Sequence, residues 1–538
     1  MTEPNTPTPA HEADEQESVA PTTEATADTA PPEQSEAKTV GKGLLVITAA
    51  KLWFMVGGAL ITFGLPYIFS RYGDGDPEYG KRLYGQFFDI NNTMSILSMV
   101  LVTGCLQAVS KWTSQFSQQP ERAAGALRQL FWFMLGAAGL IGGGFILASP
   151  WIAESRGNPE LVNAYRAAGG VLVAYSLYVV FIGALNGRKA FTSQALFDMG
   201  FTTLKASLVL GFALLGWGVT GAFGGFAAAA GVIALLAAWR VGLGPKGEPS
   251  PYKEVYGFAL QAMAYTLVFN LIFKLDILMV KPVAQSLFQG EADALMGVYG
   301  MAVNVSRLPW QATIAVTFVI FPLLSEATFS QDMERSRAYI RQTLRYLMLL
   351  IGAASAGLMA LPEAVVNILP SGYADAAQVL MWSAPAYFFF TLFNLTNTLL
   401  ISAGRALDTF LIGLITVGLA AGLYQLWLPS SGSGVELITR AASASLVAFG
   451  FGLTLGLGRL YQLFGPPVPL MSAVRLAISS AVIWALGRQT ATALEGKSKL
   501  LFLVALVGLG LLYFVLLTAL REWDDEDKAR VKRMLKRG

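Results

Sequence analysis

Glu121-Arg122-Ala-Ala-Gly-Ala-Leu-Arg128-Gln129 and Glu334-Arg335-Ser-Arg-Ala-Tyr-Ile-Arg341-Gln342 carry the same Glu-Arg and Arg-Gln pairs at the same spacing, 213 positions apart. Each stretch stands in front of a long apolar run. Two further pairs repeat in the same order: Tyr84-Gly85 returns as Tyr299-Gly300, 215 positions on, and Gly187-Arg188 as Gly404-Arg405, 217 on. Three repeats at a nearly constant offset, each beside an apolar run of spanning length, mark a duplicated bundle of transmembrane helices. A bundle built this way has a natural substrate site at the seam between its halves.

The 538 residues are 54% hydrophobic and only 14% charged, with a mean hydropathy of +0.52. That is more apolar surface than a soluble chain of this length can bury. Runs of roughly 20 apolar residues, enough to cross about 30 Å of hydrocarbon, predict helices near 43–69, 86–109, 130–151, 161–186, 191–215, 217–238, 255–282, 296–323, 341–362, 376–403, 406–428, 435–458, 470–487 and 499–520. Irregular backbone cannot face lipid, and a β-barrel would show short alternating segments instead. The predicted fold class is therefore an all-α polytopic membrane protein of about fourteen transmembrane helices. They divide into two six-helix tandem repeats, an N-lobe over 41–240 and a C-lobe over 250–460, plus two extra C-terminal helices within 468–520.

Residues 1–40 hold nine acids against one lysine and are rich in Pro, Thr and Ala, which predicts a solvated, disordered tail with no signal-peptide pattern. Residues 521–538 form a basic tail. The connection 324–340, mixed in charge, reads as an amphipathic segment at the interface. If the N-terminus is cytoplasmic, 24 of the 38 Lys and Arg fall in inside segments and 10 outside, Arg156 and Lys281 among the latter. That bias predicts both termini in the cytoplasm. The one histidine, His11, lies in the tail, and the one cysteine, Cys105, lies in the second span. Histidine proton relays, histidine-ligated metals, Ser-His-Asp catalysis and an internal disulfide are all excluded.

Charges within hydrocarbon are expensive and usually face protein or water. Lys51, Lys205, Lys274 and Arg307 are the intramembrane cations, and Asp89, Asp198 and Asp276 their acidic counterparts. At 100° per residue, Gln86, Asp89, Asn92, Thr93, Thr103, Gln107 and Ser110 fall within about 60° of Asp89, a polar face along the whole second span. Asn304, Arg307 and Gln311 share a face of the eighth, and Asn270, Lys274 and Lys281 a face of the seventh. Asp276 lies about 200° from Lys274 and faces a different partner. Thr48, Lys51 and Thr62 lie together on the first. Stripes on the first pair of helices of each repeat predict a wet cavity at the seam, lined mainly by cations and suited to a phosphate or pyrophosphate. The alternative is that each cation pairs with an acid such as Asp89 or Asp276 to hold helices in register. Arg307, beside a kink expected at Pro309, is the strongest site candidate.

The Tyr-Gly before the second and eighth spans, the Gly-Leu and Gln-Ala-Val-Ser pattern over Gly104 to Ser110, and the two Gly-Arg pairs together resemble the O-antigen-type polysaccharide flippases of the multidrug/oligosaccharidyl-lipid/polysaccharide exporter superfamily. The resemblance covers residues 42 to 520. It implies a non-enzymatic transporter in the bacterial cytoplasmic membrane that moves an undecaprenyl-pyrophosphate-linked oligosaccharide between leaflets by alternating access. Lys51, Lys274 and Arg307 would then hold the pyrophosphate, with Asp89, Asn92 and Asn304 on sugar hydroxyls and Gln311 and Asn270 beside them. No cofactor is implied beyond a coupling Na⁺ or H⁺, which Asp89, Asp198 or Asp276 could bind. Expected partners are membrane lipids, the lipid-linked substrate and other polysaccharide-assembly proteins, with no nucleic acid. Alternatives are a peptidoglycan-precursor (lipid II) flippase, a drug/cation antiporter of the same superfamily, which would need an acidic cavity, and a membrane glycosyl polymerase or ligase, which would need a large outside loop that this chain lacks.

Overall fold

Several helices outrun the apolar runs that predict them, while others match those runs closely. A computed structural model describes residues 32–73, 76–116, 118–244, 246, 251–370, 372–523 and 527. The helices are α1 (Pro32–Ser70), α2 (Pro77–Gln115), α3 (Pro120–Ser155), α4 (Val162–Gly187), α5 (Phe191–Phe212), α6 (Gly218–Val241), α7 (Tyr252–Leu287), α8 (Ala292–Ser306), α9 (Leu308–Phe329), α10 (Met333–Ala360), α11 (Glu363–Val366), α12 (Ala376–Ser402), α13 (Ala406–Trp427), α14 (Gly434–Phe464), α15 (Leu470–Ala493) and α16 (Lys499–Ala519). The chain divides into two units, Met1–Lys42 and Gly43–Gly538.

In the first unit the expected disordered tail lies outside the described residues as far as 31. Residues 32–40 are helical, which corrects that expectation. Pro32 opens the helix, where its missing N–H costs nothing, and Glu33-Gln34-Ser35-Glu36-Ala37-Lys38 is mostly good helix former.

Within the second unit, α2 begins well before residue 86 because Asp76 accepts the Glu78 N–H at 2.9 Å and Pro77 takes the first position. The interfacial segment expected over 324–340 is instead the end of α9, a short turn and the start of α10. Asp332 caps α10 by accepting the Arg335 N–H at 2.9 Å, and that cap lets the polar sequence continue as helix. Twelve helical runs among the described residues are long and apolar enough to cross a membrane, two fewer than the fourteen expected. One of the twelve, Phe191–Val241, would be about 76 Å long if straight. It is broken by a π-helical turn at Ala213–Trp217, where Gly216 takes φ +83°. The stretch expected as one span over 296–323 is two helices, α8 and α9, that meet at Arg307.

The same neighbours recur in both halves. In one, α4 packs on α2, α3 and α6, and α6 on α5; in the other, α12 packs on α8, α9, α10 and α14, and α14 on α13. Helices α15 and α16 pack on each other and on α10. The halves join along α2, which lies against α7 and α8.

The duplicated Tyr-Gly pair is explained at this joint. A Cβ at Gly85 would run into the Asp293 carbonyl oxygen, one at Gly297 into the Lys81 carbonyl, and one at Gly300 into the Phe88 ring. Glycine on both helices lets α2 and α8 meet backbone to backbone. Gly85→Val is expected to wedge this contact open. A cysteine at Gln311, with Cys105 replaced, should then react several-fold faster with a membrane-impermeant thiol reagent, and an unchanged rate would show that the contact does not close the seam.

Candidate functional site

The seam is built on α2. Lys274 of α7 donates its ammonium to Asn92 Oδ1 of α2, and Asn92 is held in place by donating Nδ2 to the Phe88 carbonyl at 2.7 Å. One turn and more toward the start of α2, Asn304 Nδ2 of α8 donates to Tyr84 Oη at 3.1 Å and Gln86 Nε2 donates to Asp293 Oδ2 at 3.0 Å. Asn304 and Gln311 also line a cavity of about 70 Å³ against Gly58, Thr62 and Phe63 of α1. That is well below the roughly 300–1,000 Å³ that holds a small ligand, so the seam is closed in this structure. Asn270 turns its amide onto its own helix, donating to the Thr266 carbonyl at 2.8 Å.

Lys274 is only 9% exposed, and no carboxylate lies within ion-pairing distance of it among the described residues. The other two cations expected to share its ligand have acids. Lys51 sits 3.4 Å from Asp198 Oδ2, and Asp198 also accepts from Tyr178 Oη at 3.2 Å. This pair lies within the N-lobe, and no contact links Lys51 to Lys274.

Arg307 is tied into the C-lobe. Its Nη2 donates to the Phe273 carbonyl at 2.8 Å and to Tyr387 Oη at 2.6 Å, and its guanidinium lies 4.0 Å from the Phe273 ring centre. Asp276 Oδ2, at 3.9 Å, supplies the counter-charge and accepts from Tyr299 Oη at 2.8 Å. The expectation that Arg307 shares a face with Asn304 and Gln311 fails because the helix stops there. Pro309 has no N–H to continue the ladder from α8, so an ideal-helix projection does not carry across the break.

Asp89 also differs from expectation. Arg156 grips it with two nitrogens, Nε at 3.0 Å from Oδ2, and Tyr165 Oη lies 3.4 Å away. Its acceptor sites are thus spent on the protein rather than on a sugar. Arg156, counted as an outside residue, follows the last residue of α3 and folds back into the bundle, 9% exposed. Lys281, also counted outside, is fully buried against Asp293, which further accepts from Asn158 Nδ2 at 3.0 Å. Periodicity places Lys281 on the polar face of the seventh span, whereas Arg156 is detectable only as the partner that a buried acid requires. Lys205 lies over the Phe226 ring at 4.1 Å.

A separate cluster lies at the end of α16. Glu522 accepts from Arg345 Nε at 2.7 Å, Ser472 Oγ at 2.6 Å and Arg475 Nη1 at 3.0 Å. Burial pushes its carboxyl up, but the three donors outweigh burial and hold it below the usual carboxylate range. The acidic start of the tail thus anchors it on α10 and α15; residues 524–526 and its basic part, 528–538, lie outside the described residues.

The profile of a family described as polysaccharide biosynthesis protein matches residues 88–378, more than half of the chain. The chain belongs to the polysaccharide biosynthesis protein family. Comparison with curated proteins gives no match. Among solved structures, the family member is similar to the lipid II flippase MurJ in an inward closed conformation, at 12% identity and TM-score 0.65 over 89% of this chain and 98% of that one. It is also similar to a multidrug resistance MATE family transporter of the MOP superfamily in an inward-facing conformation, at 16% identity and TM-score 0.58 over 77% and 95% of the two chains. A MOP superfamily transporter from Pyrococcus furiosus matches at 16% identity and TM-score 0.56 over 78% and 96%. At these identities the likeness is one of fold. The resemblance drawn from the sequence motifs thus holds for family and fold, and the duplicated helices of this polysaccharide biosynthesis protein adopt the architecture of MOP transporters.

Proposed function

We propose that this protein is a transporter that moves an undecaprenyl-pyrophosphate-linked oligosaccharide from the inner to the outer leaflet of the bacterial cytoplasmic membrane by alternating access. The observation that carries the reading is Lys274. A buried ammonium with a neutral amide as its hydrogen-bond acceptor is costly. An anionic ligand entering the seam removes that cost, and a pyrophosphate does so while its sugars meet Asn92, Asn304 and Gln311. Because Lys274 and Asn92 belong to opposite lobes, as do Asn304 and Tyr84, the groups that bind substrate are the ones now holding the seam closed. Substrate would replace contacts between lobes and lower the cost of parting them.

Asp276 is the coupling acid we favour for Na⁺ or H⁺, since its cationic neighbour stands 3.9 Å away while Asp89 is gripped by two nitrogens. Fourteen crossings, with the breaks at Gly216 and Arg307 separating and bending spans, and both termini in the cytoplasm complete the proposal.

The family match favours a surface-polysaccharide intermediate. The likeness to a lipid II flippase supports a second reading, a peptidoglycan precursor carried on the same pyrophosphate. Depletion of the protein separates the two. A lipid-linked oligosaccharide of a surface polysaccharide is expected to accumulate on the cytoplasmic face, and accumulation of lipid II in its place would move the assignment to the second reading. Normal turnover of both would overturn transport of either.

A further inference from the structure

The repeated Glu-Arg/Arg-Gln motif ends differently in the two lobes. In the N-lobe, Arg128 donates Nη2 to the Gly244 carbonyl at 2.6 Å, just beyond the end of α6. Gly242 and Gly244, at φ +63° and +70°, turn the chain back to present that carbonyl. In the C-lobe the counterpart of Arg128 is Arg341, and it faces the corresponding end of α14. There Gly465 (φ +81°) is followed by Pro466 and Pro467, which lead the chain toward α15, and among the described residues no carbonyl of this turn accepts from Arg341. Arg335 of the same motif is paired with Glu326 at 3.1 Å. Arg341 and Arg337, one turn apart and both exposed, have no hydrogen bond or ion pair among the described residues. With Phe464 and Pro466 they border an open pocket of about 330 Å³.

The depth of this pocket fits the edge of a bilayer. The apolar part of α10 starts at Tyr346, so the backbones of Arg341 and Arg337 stand about 8 and 14 Å beyond it along the helix, at and past the outer edge of the headgroup layer, from where their long side chains reach back to the lipid phosphates. Two forked guanidinium groups at one helical turn can each take two phosphate oxygens, while Phe464 and Pro466 offer an apolar wall to the glycerol and the first methylenes. A solvated basic face would need no such wall.

We propose that Arg337 and Arg341 bind the phosphate of an anionic phospholipid from the leaflet adjoining the start of α10, a site distinct from the seam and independent of which substrate crosses it. In the N-lobe the same position is closed by the protein's own carbonyl, so one lipid site per chain is expected on this motif.

The test uses the full chain purified in detergent and titrated with dioctanoyl phosphatidylglycerol, read by calorimetry. Binding is expected to weaken at least ten-fold in R337Q/R341Q and to be unchanged in R335Q, with thermal unfolding unaltered in both. R337K/R341K, which keeps charge but loses the fork, should fall between. Inorganic phosphate at matched concentration should displace the lipid poorly; equal displacement would keep the phosphate site but overturn the lipid as its source. Unchanged binding in R337Q/R341Q, an equal loss in R335Q, or dioctanoyl phosphatidylcholine bound as tightly as phosphatidylglycerol would overturn the proposal.

Discussion

Lys274→Met is expected to cut export at least roughly ten-fold while leaving the protein folded and at normal abundance. Methionine keeps the packing of the lysine stem and removes only the ammonium. A charge-assisted contact to the pyrophosphate contributes about 1.5–3 kcal/mol, so transport should fall roughly 10- to 150-fold. Stability should move the other way, because the variant no longer buries a cation that lacks a carboxylate partner. The two signs together make the experiment decisive. A structural lysine would lose abundance and export in step, whereas a substrate contact loses export alone. Normal export by Lys274→Met in membranes of normal abundance would remove the observation on which the anionic substrate rests.

Arg307 behaves in the opposite sense under the same logic. Its replacement leaves Asp276 buried with Tyr299 and the Ile277 N–H as remaining donors, and strips a guanidinium from the stack on Phe273. Removing one member of such a pair costs about 3–5 kcal/mol, so Arg307→Met should show mainly as lost protein.

The contrast between these residues shows what could be read from the sequence. The duplicated bundle was legible because the repeated pairs sit where glycine must allow close approach, as Gly85 and Gly300 do on opposite sides of the α2/α8 crossing. On α7, where 100° per residue holds along one helix, the angular separation of Lys274 from Asp276 was legible, one reaching the N-lobe and the other the C-lobe. The polar residues of α2 divide more finely than that projection resolves: Asn92 and Gln86 reach the C-lobe, while Asp89 and Ser110 bond to Arg156 and Asn186 within the N-lobe. Arg307 was misplaced because periodicity fails at a break. Arg156 was missed, and Lys281, on the polar face of the seventh span, was still counted outside, because an end-of-helix cation reads as a topology marker and nothing in local sequence says whether its long side chain reaches out to water or back to a buried acid. The Lys51–Asp198 pair joins residues 147 positions apart, a separation that no local pattern encodes.

Asp89 offers the second large effect. Asp89→Leu alone is expected to cost about 3–5 kcal/mol, because it leaves the Arg156 guanidinium buried with no counter-charge; that is a large share of the roughly 5–15 kcal/mol of stability a typical domain has. The companion change Arg156→Met should recover abundance, since replacing both members of a buried pair with apolar side chains is often neutral or favourable. The double variant also separates two roles that the single variant confounds. Abundance and export should return together if the pair only fastens α3 and α4 to α2, whereas abundance without export would show that Asp89 also touches the substrate or a coupling ion. The geometry favours the first outcome. Asp89, Arg156 and Tyr165 all belong to the N-lobe, so the pair travels as one piece when the lobes separate. In the proposed transport cycle the contacts that break are instead those running between lobes, from Asn92, Tyr84 and Gln86 to Lys274, Asn304 and Asp293.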